Sequence, residues 1–413
     1  MAYLRRALGA TVRKATRSFP AVLVTGARQT GKTTLLRHEF GRTHRFVSLE
    51  APDVRARALA DPVSFFREYP APVMLDEIQY VPELLHYVKE FIDGDRRPGR
   101  WLLTGSQSFP LMRGVAQTLA GRVAILTLDA LSVTETTGRR LDARPERALH
   151  RVFSDGLARG QTTSRGVAAA PDLANWLLRG GFPEPRVNHR VDRQLWFASF
   201  VQTYLERDVR DLVQVGDLHA FQRFTSLAAA RTGSLLNLAD LARDVGVSPP
   251  TASRWLSVLE ASQLVYLLRP YHRNFGKRLT KAPKLYFLDT GLASYLTGLH
   301  DREAVLRGPM LGALTETAVV SEWVKLFHGL GVQPPLYFWR ARDLEVDVLV
   351  EWGQRLWAIE AKATATPTPH HADNLVRWRT IAGKNVRAVV ACQVSSPASL
   401  GRDVRAVPWH LAW

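Results

Sequence analysis

The run Gly26-Ala27-Arg28-Gln29-Thr30-Gly31-Lys32-Thr33 fits the pattern G-x-x-x-x-G-K-[ST], and it lies between the apolar segment Ala21-Val22-Leu23-Val24 and the helix-like Thr34-Leu35-Leu36. The two glycines permit a tight loop whose backbone N–H groups wrap a phosphate, a geometry built where a strand ends and a helix begins. The spacing therefore predicts strand, phosphate loop and helix in an α/β domain that binds ATP with Mg²⁺. Gly26, Ala27, Arg28, Gln29, Thr30, Gly31, Lys32, Thr33 and Thr34 would line the nucleotide. Lys32 would reach the β and γ phosphates, and the Thr33 hydroxyl would ligate the ion.

A second apolar segment, Pro72-Val73-Met74-Leu75, runs into Asp76-Glu77. This is the Walker B arrangement, in which Asp76 holds Mg²⁺ and Glu77 polarises the attacking water. A third, Arg100-Trp101-Leu102-Leu103, ends in Thr104-Gly105-Ser106, where Thr104 or Ser106 is the candidate γ-phosphate sensor. Arg122, in Leu119-Ala120-Gly121-Arg122, is a candidate arginine finger acting in the same or a neighbouring subunit, and the second case would require a homo-oligomer.

With 413 residues the chain is long enough for about three domains. Its composition, 46% hydrophobic and 23% charged, is that of a globular protein and argues against a disordered or membrane-spanning one. The basic start from Met1 to Phe19 has Leu4, Leu8, Val12, Ala15 and Phe19 at helical spacing and reads as a docking helix rather than a signal peptide. Cys392 is the only cysteine, which excludes an intramolecular disulfide and a cysteine-based zinc site and suits a cytoplasmic protein. The net charge of +17 points to an anionic partner, with nucleic acid the usual one.

In these residues the chain resembles a family of bacterial and archaeal AAA-type ATPases that carry a C-terminal domain of unknown function. The same likeness extends to Gly180-Gly181-Phe182-Pro183-Glu184 and Tyr204-Leu205-Glu206-Arg207-Asp208, and so covers most of the chain. It implies an ATPase core, a helical connector and a C-terminal part related to restriction-type nucleases. The connector contains a Gly-, Thr-, Ser- and Ala-rich insert from Gly156 to Ala170.

Helical spacing from Trp196 to Val215 marks a connector or lid helix, in which Arg207 reads as a nucleotide contact or as a partner of neighbouring acids. Beyond it come helices over 218–230 and 237–244, a turn at Gly246-Val247-Ser248, a helix capped by Ser248 that runs to Glu260, and a strand over 264–268. That is the order of a winged helix-turn-helix. Thr251, Ser253 and Arg254 would face DNA, Arg254 meeting phosphates together with Arg269, His272, Arg273, Lys277 and Arg278 in the wing; the same unit also reads as a packing module between domains.

The segment 344–362 alternates as a β-hairpin about Gly353-Gln354. Counting back from that turn sets Asp347 opposite Glu360. A divalent cation would relieve the repulsion, and Lys362, on the same face as Glu360, would activate water. The pattern of Asp followed by Glu-x-Lys on adjacent strands resembles the PD-(D/E)XK nuclease superfamily. That likeness implies a further metal-site acid on the preceding helix, Glu316, although Val346 stands before Asp347 in place of the superfamily's proline.

The expected architecture is a P-loop AAA-type ATPase domain (1–137), a helical connector (138–215), a winged helix (216–300) and a restriction-endonuclease-like α/β domain (301–413). The expected function is ATP-dependent action on DNA with metal-dependent cleavage. The competing expectation is an ATP-regulated DNA- or protein-binding adaptor whose nuclease-like domain is inactive.

Overall fold

A computed structural model describes residues 3–105, 114–115, 117–139, 144–153, 172–204, 217–272, 281–383 and 386–410. Ser106, the Gly156–Ala170 insert, Arg207 and the wing residues Arg273, Lys277 and Arg278 lie outside the described residues.

The first unit is built on five parallel strands: β1 (Ala21–Thr25), β2 (Arg45–Ser48), β3 (Val73–Asp76), β4 (Trp101–Thr104) and β5 (Val123–Thr127), in the order β2-β3-β4-β1-β5. The central strands β1, β3 and β4 are buried at every position because helices cover both faces, whereas the edge strands β2 and β5 are partly exposed. Val22, Val24, Met74 and Leu102 pack under α1 (Leu8–Ala15) and α2 (Lys32–Phe40). Their neighbours Ala21, Leu23, Leu75 and Leu103 face α3 (Leu84–Gly94) on the other side. The period of two in the strands and Leu8-Val12-Ala15 in α1 thus meet as one interface. The order separates the strand that leads into the phosphate loop from the strand that ends in Asp76, and β4 lies between them.

A second sheet runs through the rest of the chain. Its strands are β6 (Ser234–Leu235), β7 (Val265–Pro270), β8 (Lys284–Phe287), β9 (Leu336–Ala341), β10 (Leu344–Trp352), β11 (Arg355–Ala361), β12 (Val386–Cys392), β13 (Ala398–Ser399) and β14 (Val404–Pro408). The order is β13-β14-β12-β11-β10-β9-β7-β8-β6. Helices α4 (Leu218–Ala230), α5 (Leu238–Val245) and α6 (Pro249–Ala261) accompany the antiparallel strands β6, β8 and β7. Parallel pairing of β7 with β9, Arg269 against Tyr337, joins this group to the C-terminal strands, so the sheet crosses the expected boundary at residue 300 without a break.

Helix α7 (Leu311–Gly329) lies under the sheet and is apolar over most of its circumference, as a helix with few solvent-facing positions must be. Trp323 and Phe327 pack there with Val348, Val350, Trp357 and Ile359 in one core that reaches from Ala27 to Trp409. On the opposite face α8 (Asp373–Ala382) supplies Leu375 and Trp378 against Leu349, Ala358 and Val390. It serves as the crossover that the parallel pair β11 and β12 requires.

Buried polar groups attach α7 to the first unit. Glu322 Oε2 accepts from Val133 N at 2.9 Å, Lys325 Nζ donates to Leu131 O at 3.2 Å, and His328 Nδ1 lies 2.7 Å from Asp129 Oδ2. Burial raises the Glu322 carboxyl to about 7, and the ammonium of Lys325, 3.4 Å away, offsets this only in part. A carboxyl raised in the folded state binds its proton more tightly there than in the unfolded chain, so its contribution to stability is lost as pH rises from its ordinary value through 7. Thermal unfolding between pH 4.5 and 7.5 should therefore show Glu322→Gln with a shallower decline in stability than the wild type; parallel profiles would assign the slope to other groups.

Candidate functional site

Because all five strands of the first sheet are parallel, their carboxyl ends share one edge, where the phosphate loop, Asp76 and Thr104 meet. The loop conformation demands glycine at two places. At Gly26, φ is +138° and an added Cβ would sit 2.2 Å from Leu128 O; at Gly31, φ is +91° as the chain turns into α2. Gln29, at φ 59°, also takes the left-handed region. Thr30 is buried and its Oγ1 donates to Ala27 O at 2.9 Å. Lys32 is buried, and its ammonium donates to Gly26 O at 3.1 Å and Ala27 O at 2.9 Å, inside the loop. Arg28 is half-buried, while Gln29 and Thr34 are exposed.

Asp76 joins three elements. Its Oδ1 accepts from Thr33 Oγ1 on α2 and from Thr104 Oγ1 on β4, each at 2.6 Å. Burial raises the Asp76 carboxyl above the ordinary range, and the Thr104 and Thr33 hydroxyls pull it back down. Glu77 follows at φ 58°, its backbone N–H donating to Thr104 Oγ1 at 3.0 Å and its Oε2 accepting from the Gln79 side chain. The Thr33 hydroxyl and the Asp76 carboxylate are adjacent hard oxygen donors and fit Mg²⁺, which they would hold beside the phosphates.

Two expectations change here. Thr104 is fully buried, and its single hydroxyl proton goes to Asp76 while its oxygen accepts from Glu77 N, so in this geometry the hydroxyl is engaged by the two acids. Arg122 stands at the other edge of the sheet. Its carbonyl accepts from Ala21 N at 3.2 Å, level with the start of β1, and its Nε pairs with Asp93 Oδ1 at 2.6 Å. A strand of this length spans roughly 15 Å, so Arg122 cannot reach the phosphate loop of its own chain. A role in phosphoryl transfer requires a neighbouring subunit.

In the C-terminal unit the hairpin register pairs Trp352 with Arg355 and continues to Val348 with Ile359. Gly353 has φ +61° and Gln354 does not take positive φ, as a type II′ turn requires. The ladder stops one pair short of Asp347 and Glu360, however, where β10 shifts register against β9 between Val346 and Leu349. Asp347 turns its carboxylate onto the backbone, Oδ2 accepting from Ala361 N at 2.8 Å, so the expected direct pairing with Glu360 is replaced by a cap on the end of β11.

The acids nevertheless remain close enough to repel. Burial raises the Asp347 carboxyl well above its usual range, and Glu316 and Glu360 add to the shift. Glu360 is raised by burial against the pull of Lys362, whose Nζ lies 2.8 Å from Oε1, and its Oε2 is buried with no hydrogen-bond partner. Glu316 differs from the expectation. Its Oε1 accepts from Lys284 Nζ at 2.8 Å and from Tyr286 Oη, and Lys284 also pairs with Glu345. Among the described residues no group of three or more His, Cys, Asp or Glu side chains is placed to hold a metal ion. The expected set of Glu316, Asp347 and Glu360 is therefore not assembled as one group of metal ligands, and Glu316 is engaged by a buried lysine.

On α6, Ser253 and Arg254 are exposed and Thr251 is half-buried; Ser248 Oγ caps the helix by accepting from Thr251 N at 3.3 Å. Sequence reasoning missed Lys284, Tyr286 and Glu345, as well as Arg6, whose guanidinium donates to Thr30 O of the phosphate loop at 2.6 Å. Their partners lie far away along the chain, and no local spacing marks them.

Residues 18–137 match the AAA domain family, which supports ATP binding and hydrolysis by the first unit. Residues 170–303 match a domain of unknown function, DUF8612, and residues 311–412 match another, DUF4143. Uncharacterised proteins of Mycobacterium tuberculosis and Mycobacterium bovis are each 33% identical over 367 residues, covering 88% of this chain and 75% of the relative. Among solved structures, a Walker-type ATPase of Pyrococcus abyssi aligns at 14% identity with a TM-score of 0.41, over 71% of this chain and 96% of its own. The Thermotoga maritima RuvB Holliday junction branch migration motor aligns at 18% identity with a TM-score of 0.27, over 63% and 86%. Among the described residues no helix is long and apolar enough to cross a membrane.

Thr104→Val leaves Asp76 and the Glu77 N–H each short of one buried partner, at about 1–3 kcal/mol apiece. Steady-state phosphate release at saturating ATP should fall about tenfold or more. An unchanged rate would remove Thr104 from the site's machinery.

Proposed function

The chain belongs to the family of its two mycobacterial relatives, and on that footing we propose that it is an ATP-hydrolysing protein whose C-terminal unit acts on DNA. The observation that carries the first half is the convergence of Thr33 and Thr104 on Asp76 Oδ1, beside Lys32 and with Glu77 next in the chain. Lys32 binds the phosphates, its ammonium exchanging loop carbonyls for phosphate oxygens. Thr33 and Asp76 would hold Mg²⁺, which would supply positive charge beside the phosphates. Glu77, fixed through its N–H and by Gln79, orients the attacking water.

For the second half, α4, β6, α5, α6, β7 and β8 succeed one another as in a winged helix, which supports placing α6 against DNA with Ser253 and Arg254 outward. Asp347 and Glu360 would hold a divalent cation for phosphodiester cleavage, supported by the unpartnered, buried Oε2 of Glu360 and by Lys362 at its other oxygen. The net charge of +17 favours a polyanionic partner. One observation favours a second reading. Lys284 and Lys362 already compensate the acids around Asp347, as suits an inactive nuclease-like domain in an ATP-regulated DNA- or protein-binding adaptor.

Lys32→Ala should abolish ATP binding, whereas Glu77→Gln should retain binding and slow hydrolysis by about a hundredfold or more. Normal turnover in Glu77→Gln would remove it as water activator. A Mg²⁺ or Mn²⁺ assay on duplex DNA separates the two readings. Cleavage lost in Asp347→Ala and in Lys362→Ala supports the nuclease; no cleavage by the wild type supports the adaptor.

A further inference from the structure

Arg6 precedes α1 and is 6% exposed, which for an arginine demands partners on every side. It has three, none of them near in sequence. Nη1 donates to Thr30 O at 2.6 Å, Nη2 to Asp129 O at 2.6 Å, and Nε to Glu135 Oε1 at 3.1 Å. The first is a carbonyl of the phosphate loop itself, between the left-handed Gln29 and Gly31. The other two belong to the segment after β5, which α7 grips through His328 on Asp129, Lys325 on Leu131 and Glu322 on Val133. Glu135 is itself fixed, Oε1 accepting from Ala7 N at 2.7 Å and Oε2 from Ser132 N at 2.9 Å. Thr11 Oγ1, on α1, donates to Gly329 O at the end of α7 at 2.7 Å.

We infer that Arg6 is a positioning residue of the nucleotide site: it sets the phosphate loop through Thr30 and ties that loop to α7, so that nucleotide binding is felt by the C-terminal unit. The guanidinium suits the task because its planar fork serves three acceptors in fixed directions, whereas an ammonium in the same place would have to choose among them. Holding the Thr30 carbonyl on the Arg6 side keeps the neighbouring N–H groups turned to the phosphate. Any shift of the loop on binding is then passed to Asp129 and Glu135, because one rigid group spans all three. Helix α7 carries Glu316 six to twelve positions from Glu322, Lys325 and His328, so the same helix joins this contact to the acidic cluster.

The inference rests on the ATPase reading, and the test keeps the two apart. The wild-type chain and the variants Arg6→Ala, Arg6→Lys, Glu135→Gln and Lys32→Ala are compared in binding of the non-hydrolysable analogue AMP-PNP with Mg²⁺, in KM and kcat for ATP, and in amide hydrogen exchange with and without the analogue. In the wild type, AMP-PNP should slow exchange in the loop and in α7. Arg6→Ala should weaken binding about tenfold, raise KM more than it lowers kcat, and at saturating analogue should protect the loop without protecting α7. Arg6→Lys should fall between the two. If Arg6→Ala does not fold, Arg6→Lys and Glu135→Gln carry the test by the same readouts. Wild-type affinity and wild-type α7 protection in the folded Arg6 and Glu135 variants, with Lys32→Ala unable to bind, would overturn the inference alone. Equal binding by the wild type and Lys32→Ala would overturn the ATPase reading and the inference with it.

Discussion

Helix α7 is the member on which the rest of the molecule is assembled. Trp323 and Phe327 are fully buried, and the same helix sends Glu322, Lys325 and His328 into the segment that follows β5. An apolar helix with so little exposed surface is stable only while both its neighbours are in place, since each fully buried side chain of this size contributes about 1.5–3 kcal/mol. Polar groups buried at the same contact add direction: each must find one particular partner, which fixes how the first unit meets the second.

The nucleotide site follows from a different constraint, the parallel order of the first sheet. Asp76, Thr104 and the loop after β1 come from separate stretches of chain, and parallel strands deliver their ends to one edge. With β4 inserted between β1 and β3, Thr104 stands where it can hold Asp76 by its hydroxyl and Glu77 by its oxygen. The C-terminal acids are arranged with less economy. Lys284 draws Glu316 and Glu345 toward itself, and the cap that Asp347 places on Ala361 leaves Glu360 with Lys362 as its partner. Lys284 and Lys362 offset only part of the charge of the four acids Glu316, Glu345, Asp347 and Glu360, and burial with the remaining acid charge keeps the Asp347 carboxyl raised.

Local features were legible in the chain itself. The glycines at 26 and 31, the strands before the loop and before Asp76, α7 and the hairpin about Gly353 all depend on residues within a few positions of one another. Strands β2 and β5 are as short as β1, β3 and β4 but lead into no signal residues, and four or five residues carry little periodicity of their own. The hairpin count was right as far as Val348 and Ile359 and failed at the next pair, where a register shift against β9 intervenes. A bulge depends on the third strand, which counting along two strands does not see.

What the sequence alone determined is the phosphate loop, the acids after β3 and the alternation of core and charge, because backbone conformation and side-chain period are set by neighbours. Only the tertiary structure decided that Thr104 serves Asp76, that Arg122 lies at the far edge of its sheet, that Glu316 belongs to Lys284, and that Arg6 joins the loop to Asp129 and Glu135. These are contacts between residues tens to hundreds of positions apart. Their geometry exists only after strand order and helix packing have brought the chain together, and no spacing along the chain encodes it.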